Sequence, residues 1–523
     1  MTGKAGEYRW VWVVSLLLLA IGSLPIITGY AIQTPNQRFT GAIYDQQDYA
    51  VHLAAMHYGE QGGWGYQMRF TSETQPVTFL KTFYVILGHF GGWLQIPAAG
   101  LYQAARLGFG LLACLSIYRL MTRVFPSTKQ RRLAFLLSML GAGMGWFQVF
   151  SGLVSAKVAP IDLWLSDAYP LFSIDLFPHF SATIAALAIA ITAFMDHTAR
   201  PRWTNIVVIA TCAIFVQIVN PIAFILADLA IIGIFIFSCW QKYRIDIRLG
   251  LTLGMLAVIQ IPLALYSFVL LTRDPVWSIF TAQNATPSPA PFHYLLGFGL
   301  FWPFAIWGAV SAFRTRSDTG WAAVWVIGAF GLAYLPVAVQ RRFLLAITLP
   351  LAILATPMIL RFSGLLRARL RLGTNTGAFL VIGLASISTF LLIGILTLNV
   401  LKRTSPQFEP TKLVQAVDWL GKNSTSEDVV LASEPTSILV AIRTPLRLFS
   451  GHTMETLHYV EKVQALQRFS KAEQPSGWPG SQGITWVVFG PHELDWQVAA
   501  TDPPGMEIAY RNDLVRIYRV LRP

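Results

Sequence analysis

Long apolar runs separated by short charged clusters dominate this chain. A membrane-crossing helix needs about 20 mainly apolar residues. Eleven stretches fit that pattern, at roughly 10–31, 99–121, 133–153, 176–195, 204–219, 221–240, 249–272, 291–313, 321–339, 343–360 and 377–400. Only Asn220-Pro221 separates the fifth from the sixth, which implies a tight re-entry. The first stretch follows Lys4 and Arg9 and has no small-residue cleavage site, so it predicts an uncleaved anchor. Segment 76–96 is apolar too, but Lys81, His89 and three glycines interrupt it. It predicts helices lying at the membrane interface rather than a further crossing.

The pattern changes after residue 401. Leu413, Val417 and Leu420 fall at helical spacing within 410–421, and a second helix is expected at 455–470. Short β-type runs occur at 428–432 and 484–489. The alternating runs 506–511 and 514–520 flank Asn512-Asp513, a hairpin signal. The fold class expected is mainly α: a polytopic helical bundle of about eleven spans over 1–401, with a long first outer loop at 32–98. A small α/β domain follows over 402–523.

Composition agrees. Only 12% of residues are charged and 54% are hydrophobic, too few charges to cover a water-soluble fold of this size. The net charge of +13 would suggest nucleic acid in a soluble protein, so its location matters. The tail holds thirteen Lys/Arg and thirteen Asp/Glu, so the whole excess lies in the membrane part. With eleven spans, alternate connections on one side carry eighteen Lys/Arg, against seven on the other, among them Lys157. The positive-inside rule makes the richer side cytoplasmic. Loops 32–98, 154–175 and 273–290 and the tail then face outward, and no nucleic-acid partner is needed. Cys114, Cys212 and Cys239 lie in apolar runs without metal-ligand spacing.

No phosphate-loop or dinucleotide-binding glycine motif occurs, and no Asp-x-Asp pair. The outward loops carry the informative acids. Tyr44-Asp45-Gln46-Gln47-Asp48-Tyr49-Ala50-Val51-His52 lies just beyond the first span, and Gly62-Gly63-Trp64 follows. A carboxylate in a partly dry cleft there could take a proton from an attacking hydroxyl. A solvated loop acid or a helix cap is the plainer alternative. Within the spans, Arg106 and Asp228 are costly. Both fall about seven residues below the outer face, which predicts that they pair or line one polar cavity.

A long first outer loop with an acid soon after span one resembles the GT-C superfamily of membrane glycosyltransferases, which use polyprenyl-phosphate sugars. The pattern also looks like bacterial members of the protein-mannosyltransferase and aminoarabinose-transferase type. These have an Asp four residues before a Tyr, then Leu-Ala, then Gly-x-Trp. Asp48 fits that acid, with His52 where Tyr is usual; Asp45, four before Tyr49, is the alternative. Asp162-Leu163-Trp164 with Asp167, Pro178-His179-Phe180, Arg106 in span two, Gln340-Arg341-Arg342, and Gly451-His452 with Glu455 resemble later parts of such chains.

The resemblance implies a sugar donor on a polyprenyl phosphate, with a lipid, glycan or protein acceptor, at the outer face of the plasma membrane. It implies Asp48 or Asp45 as base. The residues expected to bind substrate are Asp167, His179, Arg106, Gln340, Arg341, Arg342, His52, Asp228, His452 and Glu455. Arg341 and Arg342 suit a phosphate because guanidinium contacts are bidentate and permanently charged. No metal ligands are assigned, though the chemistry admits a divalent cation. A transporter or flippase for a lipid-linked sugar is the competing reading, but neither inverted halves nor matched breaks in the spans are visible. A membrane scaffold is a third, and it leaves Asp228 and the first-loop acids without a task.

Overall fold

In hydrocarbon every backbone polar group must be satisfied within the segment, which a helix achieves. The apolar runs are accordingly helical in the computed structural model, which describes residues 2–153, 159–500 and 503–521. Lys157 lies outside the described residues. Six helices are long and apolar enough to cross a membrane: Ala98–Val124, Pro178–Ala199, Phe224–Lys242, Ile247–Arg273, Gln340–Leu370 and Thr376–Leu401. Two bent pairs, Gly6–Gly22 with Leu24–Ala31 and Pro291–Phe298 with Phe301–Thr315, raise the number to eight among the described residues. The architecture is that of a multi-pass membrane protein.

The number is below eleven for local reasons. Helix Trp203–Val219 has 17 residues and Trp321–Leu332 has 12. At 1.5 Å per residue the latter reaches about 18 Å, short of a hydrocarbon core of about 30 Å. The expected crossing at 133–153 is interrupted. Helix Thr128–Leu140 stops before Gly141, and a short helix, Gly145–Phe150, follows. Asp162 Oδ2 accepts the Gly143 and Gly145 amides at 3.0 and 2.9 Å, so a carboxylate takes amides that a continuous helix would have used.

Two compact units divide the chain. One comprises residues 1–23, 105–267 and 286–395, and it is helical apart from connecting turns. The other comprises 24–104, 268–285 and 396–523, so the tail groups with the first loop and with residues 268–285.

Among the described residues the second unit holds two sheets. Strand β1 (Gln37–Phe39) pairs antiparallel with β2 (Phe408–Pro410). The other five strands are β3 (Val429–Leu431), β4 (Arg447–Leu448), β5 (Trp486–Phe489), β6 (Met506–Arg511) and β7 (Arg516–Val520), in the order β4-β3-β5-β7-β6. Pairings β3–β4 and β3–β5 are parallel, and β5–β7 and β6–β7 antiparallel. Val429, Leu431, Val487, Phe489 and Tyr518 of the sheet pack with Phe449 and Phe469 as its core. The hairpin forms where the sequence places it, because Asn512 Oδ1 accepts the Leu514 and Val515 amides, both at 2.9 Å. Thr411–Lys422 and Tyr459–Ser470 are the two helices expected there. A third, Glu434–Arg443, carries no polar face that periodicity could detect, since seven of its residues are buried.

One contact ties strand β2 to the 3-10 turn Pro491–Glu493 that follows β5. Glu409 is buried, and its Oε2 lies 2.8 Å from His492 Nε2. The Glu409 hydrogen bond and charge raise the His492 pKa above its ordinary value, against the opposing effect of burial. A raised imidazole value stabilises the fold fully below the unfolded value of about 6.5, and the gain is lost as pH rises through the folded value. His492→Gln is therefore expected to remove about 1–2 kcal/mol at pH 6, lowering the thermal midpoint by a few degrees, and to change it little at pH 9. Equal losses at both pH values would show that the pair does not titrate as described.

Candidate active site

The first-loop acids occupy the start of helix Gln46–Glu60. Asp45 has φ 25°, and its Oδ1 accepts the Asp48 amide at 3.2 Å, capping the helix. Asp48 sits in the first turn, where helix-end amides favour a negative charge. Its side chain keeps 43% of its surface accessible. The two carboxylates are thus distinct: Asp45 is engaged as a cap, and Asp48 projects with an open face. One turn on, His52 is buried and stacks on Tyr84 at 4.0 Å, in helix Thr82–Leu94. The two helices approach closely because Gly59 and Gly88 meet: a Cβ on either would fall within 2.2 Å of a carbonyl oxygen of the other helix.

The loop after β4 brings the tail to this point. Gly451 has φ +146°, and a Cβ there would lie 2.6 Å from the Ser437 Cβ, so the turn requires glycine. The next residue, His452, is buried, and its Nε2 lies 3.6 Å from Asp48 Oδ1. Glu455 is buried; its Oε2 accepts the Tyr66 hydroxyl at 3.0 Å, and its Oε1 lies 3.9 Å from Lys81 Nζ. Crowding around Asp48 pushes its carboxyl up, but the facing His452, the Lys81 ammonium and His52 outweigh that and hold it well below the usual carboxylate range. Asp48 is therefore an ionised, partly open carboxylate. The burial of Tyr66 and the Glu455 charge push the Tyr66 hydroxyl well above 10.

In the other unit Asp167 and Arg341 occupy neighbouring turns. The Asp167 carbonyl accepts the Ala346 amide at 2.8 Å, and the Arg341 guanidinium lies over the Trp164 ring at 5.1 Å. Arg342 follows in the same 3-10 turn, Gln340–Leu344. The Gln340 amide is committed to backbone: its Oε1 accepts from Ser288 at 2.9 Å and its Nε2 donates to the Leu335 carbonyl at 2.7 Å. His179 packs on Phe180, with ring centroids 4.2 Å apart, at the start of helix Pro178–Ala199.

The expected pairing of Arg106 with Asp228 is not what the structure shows. Arg106 is buried, donates to Ser23 Oγ at 2.9 Å and lies 4.0 Å from Asp175. Asp228 accepts from Gln260 Nε2 at 3.1 Å. Equal depth along two helices does not make their side chains face each other; the direction around each helix axis decides that.

Sequence reasoning passed over three of these residues. Lys81 entered only as an interruption of an apolar segment, and its being the one lysine there was the available signal. Tyr66 and Asp175 gave no signal in their sequence surroundings. Among the described residues no group of three or more His, Cys, Asp or Glu side chains is placed to hold a metal ion.

Neither a protein-family model nor a curated protein matches the sequence. Solved structures do. The chain is similar to the oligosaccharyltransferase of Archaeoglobus fulgidus in its apo form, at a TM-score of 0.58 and 12% identity, with 92% of this chain and 69% of that one covered. It is also similar to ArnT from Cupriavidus metallidurans bound to undecaprenyl phosphate, at a TM-score of 0.54 and 12% identity, with 98% of each chain covered. The apo state of that ArnT gives 0.53 and 13%, over 99% of this chain and 98% of that one. At such identities the likeness is one of fold alone.

Proposed function

We propose that this protein is a membrane glycosyltransferase that moves a sugar from a polyprenyl-phosphate donor to an acceptor hydroxyl. The observation that carries this reading is Asp48, an ionised and partly open carboxylate at a helix start, faced by His452 and near Lys81. The acceptor oxygen attacks the anomeric carbon, the bond from that carbon to the lipid-phosphate oxygen breaks, and Asp48 takes the hydroxyl proton. The lipid phosphate leaves as an anion. The shared fold supports the reading, since one structure that has it, ArnT, is bound to undecaprenyl phosphate.

Arg341 and Arg342 are assigned to donor phosphate binding, as planar, permanently charged groups suited to phosphate oxygens. The other residues singled out in the sequence, Asp167, His179, His52, Gln340, Arg106 and Asp228, are assigned supporting roles. The acceptor is a lipid, glycan or protein hydroxyl. The charge bias of the loops supports a cytoplasmic N-terminus and an outward tail, with 402–523 as a soluble outer domain.

The test is direct. Purified protein is incubated with radiolabelled polyprenyl-phosphate sugars and a panel of acceptors. Sugar transfer, or slow donor hydrolysis without acceptor, is the expected result. No turnover of any donor, combined with movement of lipid-linked sugar across reconstituted vesicles, would overturn it in favour of a flippase.

A further inference from the structure

The His452 ring is held in one tautomer. Its Nδ1 accepts two backbone amides, from Met454 at 3.0 Å and Glu455 at 3.1 Å. A nitrogen that accepts two donors carries no hydrogen itself, so the ring hydrogen sits on Nε2. Among the described residues that nitrogen is buried without a hydrogen-bond partner. It lies 3.6 Å from Asp48 Oδ1, a polar contact slightly too long for a hydrogen bond. Catalytic contacts of this kind tighten when substrate binds.

The loop that carries the ring is fastened on several sides. Gln47, beside Asp48, accepts the Thr453 amide and hydroxyl at 3.3 and 3.1 Å. Gln283 donates to the Thr456 carbonyl at 2.8 Å and accepts the His458 amide at 3.1 Å. Thr71 Oγ1 accepts the Leu457 amide at 3.2 Å. So much fixing of one short loop suits a group that must be aimed.

We propose that His452 is a positioning residue for Asp48: its Nε2–H, locked by two backbone amides on Nδ1, points at the carboxylate and holds it, ionised and oriented, for the acceptor hydroxyl. The role as base rests on the glycosyltransferase reading, whereas the contact itself does not. The other groups bearing on Asp48 are Lys81, His52 one turn along its own helix, the capping Asp45, and the Glu455–Tyr66 pair.

Two substitutions separate the two ring nitrogens. In His452→Asn the amide oxygen takes the place of Nδ1, which keeps the loop capped and removes the donor to Asp48. In His452→Gln the amide nitrogen reaches to about the position of Nε2, which keeps the donor and loses the cap. The readout is carbodiimide modification of Asp48 at pH 5–6, followed by peptide mass spectrometry. At that pH the initial rate scales with the small protonated fraction, so a one-unit rise in midpoint appears as a tenfold faster rate. His452→Asn is expected to speed modification about tenfold, and His452→Gln to restore the wild-type rate. A rate in His452→Asn within twofold of wild type overturns the proposal. Equal acceleration in both variants overturns it too, since that marks a role in the loop alone.

Should His452→Asn not fold, 15N-histidine spectra of the wild type, assigned by the signal missing from His452→Gln, read the tautomer directly; hydrogen on Nδ1 overturns the proposal. None of these readouts requires turnover. Failure of the contact is thereby distinguishable from failure of the enzyme reading, in which the labelling result stands and no sugar moves.

Discussion

Asp48→Asn is expected to lower sugar transfer by about a hundred- to ten-thousand-fold, the usual contribution of a positioned general base, with the fold intact. The asparagine amide has the same shape, and its oxygen can still face His452 Nε2. The Asp48 amide still donates to Asp45, so the start of the helix is undisturbed. What is lost is the charge that takes the proton. Asp45→Asn should behave differently, because an amide oxygen also accepts a helix amide and the expected loss is about 1 kcal/mol of stability or less. Comparing transfer rates of the two variants, with thermal midpoints as controls, therefore decides between the two acids. If Asp48→Asn keeps a rate within threefold of wild type, Asp48 is not the base. The pH profile adds a second check. The Asp48 carboxyl is held below the usual carboxylate range, so the acid limb of wild-type activity should fall below about pH 4. Any stabilisation from its ionised form is present above the unfolded value and lost as pH falls through the folded one.

Much of this was legible in the sequence because the governing signals are local. The hairpin at Asn512-Asp513 and helix Thr411–Lys422 are written in alternation, turn chemistry and helical spacing, and they form where expected. Asp48, Asp45, His452 and Glu455 could each be singled out as polar groups on outward segments. Their meeting could not, since Asp48 and His452 lie at opposite ends of the chain and long-range contacts such as Gln47 to Thr453, with the turn at Gly451, bring them together. The number of long apolar helices falls below the eleven apolar stretches for a different reason. Hydropathy registers apolar composition, but not the use of the Gly143 and Gly145 amides by Asp162, which ends a helix inside an apolar run. The Arg106 pairing failed because depth is readable from sequence and azimuth is not. Asp175, the partner found, sits among apolar neighbours in a short helix, Pro170–Leu176, where no spacing rule marks it.

Glu493→Ala is expected to have the largest effect on stability, a loss of about 2–6 kcal/mol. The Glu493 side chain is fully buried. Its Oε2 accepts the Gly490 amide at 2.7 Å, and its Oε1 accepts the Ser433 amide at 2.9 Å and also the Ser433 hydroxyl. Truncation leaves the Gly490 and Ser433 amides without an acceptor, while the Ser433 hydroxyl can still turn to Thr436 Oγ1 at 3.4 Å, and each buried unsatisfied group costs about 1–3 kcal/mol. Glu493→Gln should fall between, because one oxygen can still accept at Ser433 while the new amide hydrogens confront the Gly490 amide. Thermal unfolding of the full chain in detergent measures both variants, and a loss below about 1 kcal/mol for alanine would contradict the account. The effect should also reach the site. Ser433 is the residue before helix Glu434–Arg443, and that helix contacts the one carrying Asp48 at both ends. Glu434 accepts from Gln47 at 2.7 Å, and the Ile442 carbonyl lies 2.9 Å from His57 Nε2. Loosening the start of Glu434–Arg443 should therefore lower transfer as well, by less than Asp48→Asn does, because it disturbs the position of the carboxylate without removing it.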